Sequence, residues 1–366
     1  MMSSDRAFKE LFVNLKGKQG VVIGAGVAGL TAAAALSRWG VQVWLIDKAP
    51  VIGGHAIQFS CKAIEGCVQC GACQVHERAQ QVSRQKNITF VPGARIVRSR
   101  GNGRLELTLA ASGQGAGQSA GRFPDTLNAD ALLVTTGFTV YDPSHKPYGY
   151  GQFANVLTNL DAERILHATG ALARPSDGRL PRRMAFIQCV GSRDHRIGHD
   201  WCSKICCGSA LRMARLVQSR QPGTAVTFFY IDVQSFGRQF QAIYDGCRER
   251  IRTVRAIPAD IRKTADDDMQ VTYFDPQDRN ATDAVFDLVV LSAGLTPTAD
   301  NAVLASVLGM RLLENGFFCP HDNDTQPPGM FAAGAALGPM SIAESIDSAG
   351  KAAFDMVRYL DGGRLR

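Results

Sequence analysis

The sequence predicts an α/β fold in two domains, the second inserted into the first. Three observations carry this reading. Val21-Val22-Ile23, the glycine turn Gly24-Ala25-Gly26-Val27-Ala28-Gly29, an alanine-rich helical stretch and the apolar run Val41–Ile46 follow one another as strand, turn, helix and strand. Apolar runs recur at Ala129–Thr136, Arg183–Val190, Ala225–Ile231 and Val285–Leu291, as expected of strands buried on both faces of parallel sheets. Between the first two of these, Tyr141–Tyr150 is rich in Pro, Gly and Tyr, a composition shift that marks a linker.

Composition narrows the function. A chain of 366 residues, 45% hydrophobic and 20% charged, has the balance of globular domains. No apolar run reaches the roughly 18 residues of a membrane helix. Met1–Phe12 is polar, with no signal-peptide core, so no membrane span and a cytoplasmic location are expected. The net charge of +7 is read as a slightly basic surface, or as attraction for acidic partner proteins. No interleaving of basic and aromatic residues points to nucleic acid.

The glycine turn is the clearest motif. Gly24 permits a tight turn, Gly26 lets the backbone approach a pyrophosphate, and Gly29 lets helix and strand pack closely. Val27 and Ala28 complete the turn at the helix N-terminus, where free N–H groups and the dipole favour negative charge. Gly40 is the expected C-terminal stop. Asp47 ends the next strand, about 20 residues on, where a carboxylate accepts from ribose hydroxyls. Further along, Asn87–Val97 and Arg104–Leu109 read as strands, and Ala111–Gly121 as a mobile Gly/Ser/Ala-rich hairpin tip. Cys207–Gln218 reads as a helix, and Asp232–Tyr244 as a turn back toward the core. Ser341-Ile342-Ala343-Glu344 is a capping box opening the last helix.

Ten cysteines in a reducing compartment argue against a disulfide framework and for metal or redox chemistry. Cys189, Cys202, Cys206 and Cys207 fall as C-x12-C-x3-C-C behind an apolar strand. Adjacent cysteines build an ordinary core poorly, but they can place several thiolates around one soft metal centre. Cys61, Cys67, Cys70 and Cys73 fall as C-x5-C-x2-C-x2-C, whose last three resemble ferredoxin cluster loops without the usual distal Cys-Pro. A second cluster, a redox dithiol and unligated thiols all remain open for them. Cys247 and Cys319 stand alone and read as small buried residues.

Several stretches resemble FAD-binding two-dinucleotide-domain flavoproteins of the thioredoxin-reductase type. Asp47-Lys48 through Gly53-Gly54-His55 resembles their acid-x5-Gly-Gly extension, which implies that these residues lie at the flavin's ribose, phosphate and ribityl chain. Thr136-Gly137 after its strand resembles the Ala-Thr-Gly segment near the adenosine half, and Gly294-Leu295-Thr296-Pro297 the segment returning to the FAD domain. Gly329–Ala335 resembles the Gly-x-Phe-Ala-Ala-Gly-Asp motif. Ala335 replaces the Asp there, so Gly334 and Ala335 would serve through backbone N–H groups. In that family the final helix, here from Ser341 and Ile342, points its N-terminus at the flavin ring. The resemblance implies two Rossmann-like (two-dinucleotide-binding) domains: 1–145 and 288–366 for FAD, and 146–287 inserted. The inserted domain would normally bind NADPH, but Cys189-Val190-Gly191-Ser192-Arg193-Asp194 stands where a second glycine fingerprint belongs.

Taken with Trp201-Cys202-Ser203, Cys206-Cys207, Phe229–Val233 and Gly334–Ser345, these stretches resemble the A-type subunit family of heterodisulfide reductases. The compact form without ferredoxin inserts resembles the short Hdr-like A-type subunits of sulfur-oxidising bacteria. The resemblance implies FAD, and a [4Fe-4S] cluster on Cys189, Cys202, Cys206 and Cys207. It also implies a homodimer working with B- and C-type subunits in cytoplasmic sulfur or disulfide redox chemistry. The cofactors carry the electrons, so no catalytic side chain is expected. Two alternatives stand beside it: an NAD(P)H-dependent flavin disulfide reductase using the Cys61–Cys73 thiols, and a scaffold that holds FAD only structurally.

Overall fold

A computed structural model describes residues 15–101, 103–113, 123–234, 240–320 and 326–362. Most of the expected hairpin tip, and residues 235–239 of the expected turn, lie outside the described residues. The described chain divides into two compact units.

The first unit comprises residues 15–57, 73–139 and 297–362. Its centre is a parallel sheet in the order Met330–Ala332, Ala131–Val134, Gln19–Ile23, Gln42–Ile46, Ile88–Val91. The chain's first strand is therefore central, with the second and third on one side and the later two on the other. That reversal of strand order is the switch point at which open α/β sheets bind ligands. The helices Val27–Arg38 and Ile342–Leu360 pack together in this unit. An antiparallel sheet of Ala94–Arg100, Leu105–Ala111 and Thr126–Ala129 belongs to it as well.

The second unit comprises residues 58–72 and 140–296. Its parallel sheet repeats the plan: Arg252–Val254, Ala225–Phe229, Arg183–Val190, Leu288–Ala293, Val156–Thr158. Arg183–Val190 is the central strand. One face carries the helices Asn159–Thr169 and Cys206–Arg220 over Met184, Phe186, Leu288 and Val290. The other face buries Ala185, Ile187, Val289 and Leu291 against Val271 and Tyr273 of an antiparallel sheet. That sheet is Asp260–Lys263, Met269–Asp275 and Asn280–Phe286.

The structure corrects several expected boundaries. The units divide at 139/140 and 296/297, not at 145/146 and 287/288, and residues 58–72 join the second unit. A buried ion pair fixes that segment: Lys62 Nζ lies 2.6 Å from Glu163 of the helix Asn159–Thr169 and also donates to Ser60. Asn87–Val97 is two strands, because Pro92 has no N–H for a ladder and Gly93 turns at φ +63°. Val285–Leu291 is also two strands. Asp287 breaks it, accepting from the Arg182 and Arg183 backbone N–H groups at 2.6 and 3.1 Å. Ala129–Thr136 breaks at Asp130, whose carboxylate accepts from Gln19 N at 2.8 Å.

Gly29 and Gly350 both lie in helices but answer a methyl group oppositely. A Cβ on Gly29 would stand 1.8 Å from the Gly24 carbonyl oxygen, whereas one on Gly350 would meet nothing within 4 Å. Gly29→Ala is expected to destabilise the chain by about 1–3 kcal/mol or more through overpacking. Gly350→Ala is expected to stabilise it by about 0.5–1 kcal/mol. Urea unfolding of the two variants checks the contrast.

Candidate functional site

In the first unit the glycine turn lies at the switch point. Gly24, at φ +102°, has no room for a side chain: a Cβ would meet the Thr135 carbonyl oxygen at 2.3 Å. Gly26 is the N-cap of Val27–Arg38, and a Cβ there would meet nothing within 4 Å. Open space thus faces a helix N-terminus, the arrangement that receives a phosphate. Gly54 closes on the same spot, with its Cβ position 3.1 Å from Gly26 Cα, and Gly53 N donates to Ala25 O at 2.7 Å. Gly334, at φ +66°, comes close to Ala28: its Cβ would stand 2.7 Å from that methyl group. The structure therefore gathers Gly26, Val27, Ala28, Gly53, Gly54, Gly334 and Ala335 around one turn.

Asp47 is held by two backbone N–H groups, from Ala25 at 2.6 Å and Ala49 at 2.8 Å. Each carboxylate oxygen keeps a second lone pair for a ribose hydroxyl. Lys48 extends to Asp300 at 2.5 Å in an exposed pair, and Thr136 donates to Asn301 at 3.0 Å. Both contacts reach more than 150 residues along the chain, beyond what local patterning shows. Gly137 turns at φ +73° beside open space. His55 lies tilted against Phe138 with ring centroids 4.8 Å apart, and its Nε2 lies 3.1 Å from the Phe138 carbonyl. Ser341 accepts from Glu344 N at 3.2 Å while Glu344 accepts from Ser341 N at 2.8 Å, so the capping box forms and Ile342 opens the helix. Backbone N–H groups, open glycines and a ribose-ready carboxylate fit an FAD-type dinucleotide.

In the second unit the switch point holds cysteine. Cys189 lies near the end of the central strand at φ +60°, where the ladder to Leu288–Ala293 shifts register. Arg193 at φ +54° and Lys204 at φ +63° are also left-handed. Three such non-glycine residues in one loop mark stored strain, which persists only where surroundings over-determine it. The surroundings here are specific. The Ser192 and Ser203 hydroxyls share a 2.6 Å hydrogen bond, and Leu295 N donates to Ser203 at 2.8 Å. Trp201 Nε1 donates to Leu295 O at 2.9 Å, and Lys146 pairs with Asp194. Gly294 must be glycine, since a Cβ would stand 2.1 Å from the Ser192 hydroxyl.

This loop brings four sulfurs together. Burial, and then the neighbouring Cys207, push Cys189 up to about 11. Burial drives Cys206 higher still, with Cys207, Cys189 and Cys202 adding to it. Burial also raises Cys207, while an N–H from Gln234 and the Arg193 guanidinium oppose the rise. Lys204 N donates to Cys202 Sγ at 3.3 Å. Arg193, paired with Asp232, offsets negative charge at Cys189. Sequence reasoning missed Arg193; its one signal was a cation inside the cysteine spacing. Among the described residues no group of three or more His, Cys, Asp or Glu side chains stands ready to hold a single metal ion. Four thiols near enough to raise one another electrostatically, with N–H groups donating to two of them, are a donor set whose chemistry suits a multi-iron cluster, whose irons each take one thiolate.

Cys61, Cys67 and Cys73 are exposed, Cys70 is half-buried, and Cys73 lies in the first unit while the other three lie in the second. Cys70 lies near Arg212 of the helix Cys206–Arg220. Cys247 and Cys319 are buried. No helix among the described residues is long and apolar enough to cross a membrane.

Residues 22–83 match the family described as NAD(P)-binding Rossmann-like domain. The chain is 36% identical over 248 residues to the A-type subunit of the H(2):CoB-CoM heterodisulfide,ferredoxin reductase of Methanothermobacter thermautotrophicus, covering 63% of this chain and 38% of that one. It is 30% identical to the iron-sulfur A-type subunit of the CoB–CoM heterodisulfide reductase of Methanocaldococcus jannaschii, covering 95% and 65%. The chain therefore spans less than two thirds of the length of these curated relatives. Among solved structures, the thioredoxin reductase of T. acidophilum superposes with a TM-score of 0.63 at 19% identity, covering 94% of this chain and 99% of that one. Lactococcus lactis thioredoxin reductase gives the same TM-score at 17% identity, with the same coverage. The fold is thus α/β with a Rossmann-like dinucleotide-binding domain, of the two-domain thioredoxin-reductase type, and by sequence the chain is similar to the A-type subunits of heterodisulfide reductases.

Proposed function

We propose that this chain is an oxidoreductase subunit that carries electrons on FAD and on one [4Fe-4S] cluster within a heterodisulfide-reductase-like complex. The observation that carries the reading is the meeting of Cys189, Cys202, Cys206 and Cys207 at the second unit's switch point, where a dinucleotide-binding domain would present glycines. Similarity to relatives named as A-type subunits of heterodisulfide reductases supports it. The finer reading is a short Hdr-like subunit in the cytoplasm of a sulfur oxidiser. There it would form a homodimer, work with B- and C-type partner subunits and serve sulfur or disulfide redox chemistry.

The chain's residues bind, orient and exclude water. The Gly26 turn and the following N–H groups would hold the pyrophosphate, Asp47 a ribose, and Ala335 the ribityl–phosphate region, since the Gly334 N–H already donates to Ser348 Oγ at 3.0 Å and Gly334 only keeps the backbone close. The N-terminus of Ile342–Leu360 would favour negative charge at the ring. Bound FAD and cluster supply the electron chemistry. The thiols of Cys189, Cys202, Cys206 and Cys207 must lose their protons to ligate iron, so loading releases protons and is favoured as pH rises. Exposure of Cys61, Cys67 and Cys73 favours one second reading, an NAD(P)H-dependent disulfide reductase. Rapid bleaching of the flavin by NAD(P)H would support that reading.

Anaerobically prepared protein is expected to hold about four iron and four sulfide per chain. Cys206→Ala is expected to lose most of that iron and its EPR signal while keeping flavin. Flavin without iron in the unmodified chain sinks the reading. In the iron-free chain at pH 8, a thiol titrating at about 11, such as Cys189, is ionised in about one molecule in a thousand. Iodoacetamide should therefore label Cys61, Cys67 and Cys73 well before Cys189, Cys206 and Cys207, and Cys189 should gain reactivity as pH rises toward 11. Peptide mapping by mass spectrometry reads the order, and equal labelling contradicts it.

A further inference from the structure

The second unit's parallel sheet buries three polar atoms that have no partner. Gln188 is 4% exposed and Ser292 is 0% exposed. The Gln188 amide nitrogen and oxygen and the Ser292 hydroxyl make no hydrogen bond among the described residues. Such a group loses its water without gaining a partner, so native interiors keep few of them. Two such side chains on adjacent strands call for an occupant.

Their position says which one. Ile187 and Leu291 pair across the central strands, and Gln188 and Ser292 are the next residues. Side chains alternate along a strand. Phe186 and Val290, two residues back, pack with Cys207, Ala210 and Leu211 of the helix Cys206–Arg220. Ser292 continues that face, toward the layer whose helix opens with Cys206 and Cys207, and Gln188 lies at the register shift that follows the Ile187–Leu291 pair. Gln188 directly precedes Cys189. Ser292 lies two residues before Gly294, which packs against Ser192 and Ser203 of the cysteine loop. The orphaned groups thus stand at the carboxyl ends of the two strands that flank the switch point.

We propose that the Gln188 amide N–H and the Ser292 hydroxyl donate hydrogen bonds to sulfur atoms of the cluster, and that these bonds raise its reduction potential; the inference rests on the cluster assignment above. Reduction adds negative charge, which spreads over the sulfurs. Fixed donors stabilise that charge, and hydrogen bonds to sulfur are among the terms that set cluster potentials. A long neutral amide and a short hydroxyl bring donors without bringing a cation. These are positioning and tuning residues, not ligands. An ordered water could also occupy the site, but then the potential would not respond to their removal.

The test uses the full chain, prepared anaerobically, as Gln188→Met and Ser292→Ala. Met keeps an unbranched side chain of similar length without a donor. Iron content, the cluster midpoint potential from an EPR-monitored titration, and thermal unfolding of the iron-free forms are measured. We expect iron to match the unmodified chain and the iron-free variants to be no less stable than it. In Gln188→Met the ratio of reduced to oxidised cluster at a fixed potential should fall about tenfold, a midpoint about 59 mV more negative for a one-electron couple. Ser292→Ala should shift it in the same direction. If Gln188→Met fails to load iron, the Ser292→Ala midpoint decides. Full iron with an unmoved midpoint overturns the inference and leaves the cluster assignment standing. An unmodified chain without iron removes both.

Discussion

Four thiols that raise one another, one near a strand end, one in the loop and two opening a helix, cannot all ionise unless positive charge lies among them. Burial alone disfavours the thiolate, and each neighbouring sulfur disfavours it further, as the raised Cys189 and Cys206 thiols show. A metal centre reverses that balance, because a coordinating thiol is deprotonated outright. Left-handed Cys189, Arg193 and Lys204 are strained conformations, held by the Ser192–Ser203 bond, the Trp201 indole and the Asp194–Lys146 pair.

The two units answer the same topological problem with different chemistry. Each places its first long strand at the sheet's centre, with the connection after it at the switch point. In the first unit that connection is glycine-rich, presents N–H groups and suits phosphate. In the second it is cysteine-bearing, the basis of the proposed cluster. The buried Lys62–Glu163 pair is a third device, fastening residues 58–72 to the second unit. Removing one partner from such a pair strands a buried charge, typically at a cost of about 3–5 kcal/mol.

Much of the fold was legible because its demands are local. Gly29 is required by a contact within its own turn, with the Gly24 carbonyl oxygen, and that contact generates the spacing read from the sequence, whereas Gly24 is closed in by Thr135 at the end of another strand. The Ser341–Glu344 capping box is equally local and forms as expected. The C-x12-C-x3-C-C spacing was legible as a group but not as a geometry. What escaped reading depends on distant partners. Asp287 ends a strand because Arg182 and Arg183 stand opposite it, and residues 58–72 change unit because Glu163 lies on a helix 101 residues beyond Lys62. Arg193 matters only beside Cys189 and Asp232, and Gln188 reads as an ordinary strand residue until its missing partner is seen.

The central claim is that Cys189, Cys202, Cys206 and Cys207 ligate one iron–sulfur cluster. Anomalous diffraction at the iron edge, from crystals grown anaerobically, tests it most directly. The account predicts a single strong iron peak enclosed by these four sulfurs. Iron found only among Cys61, Cys67, Cys70 and Cys73, or four free thiols beside a bound flavin, would contradict it.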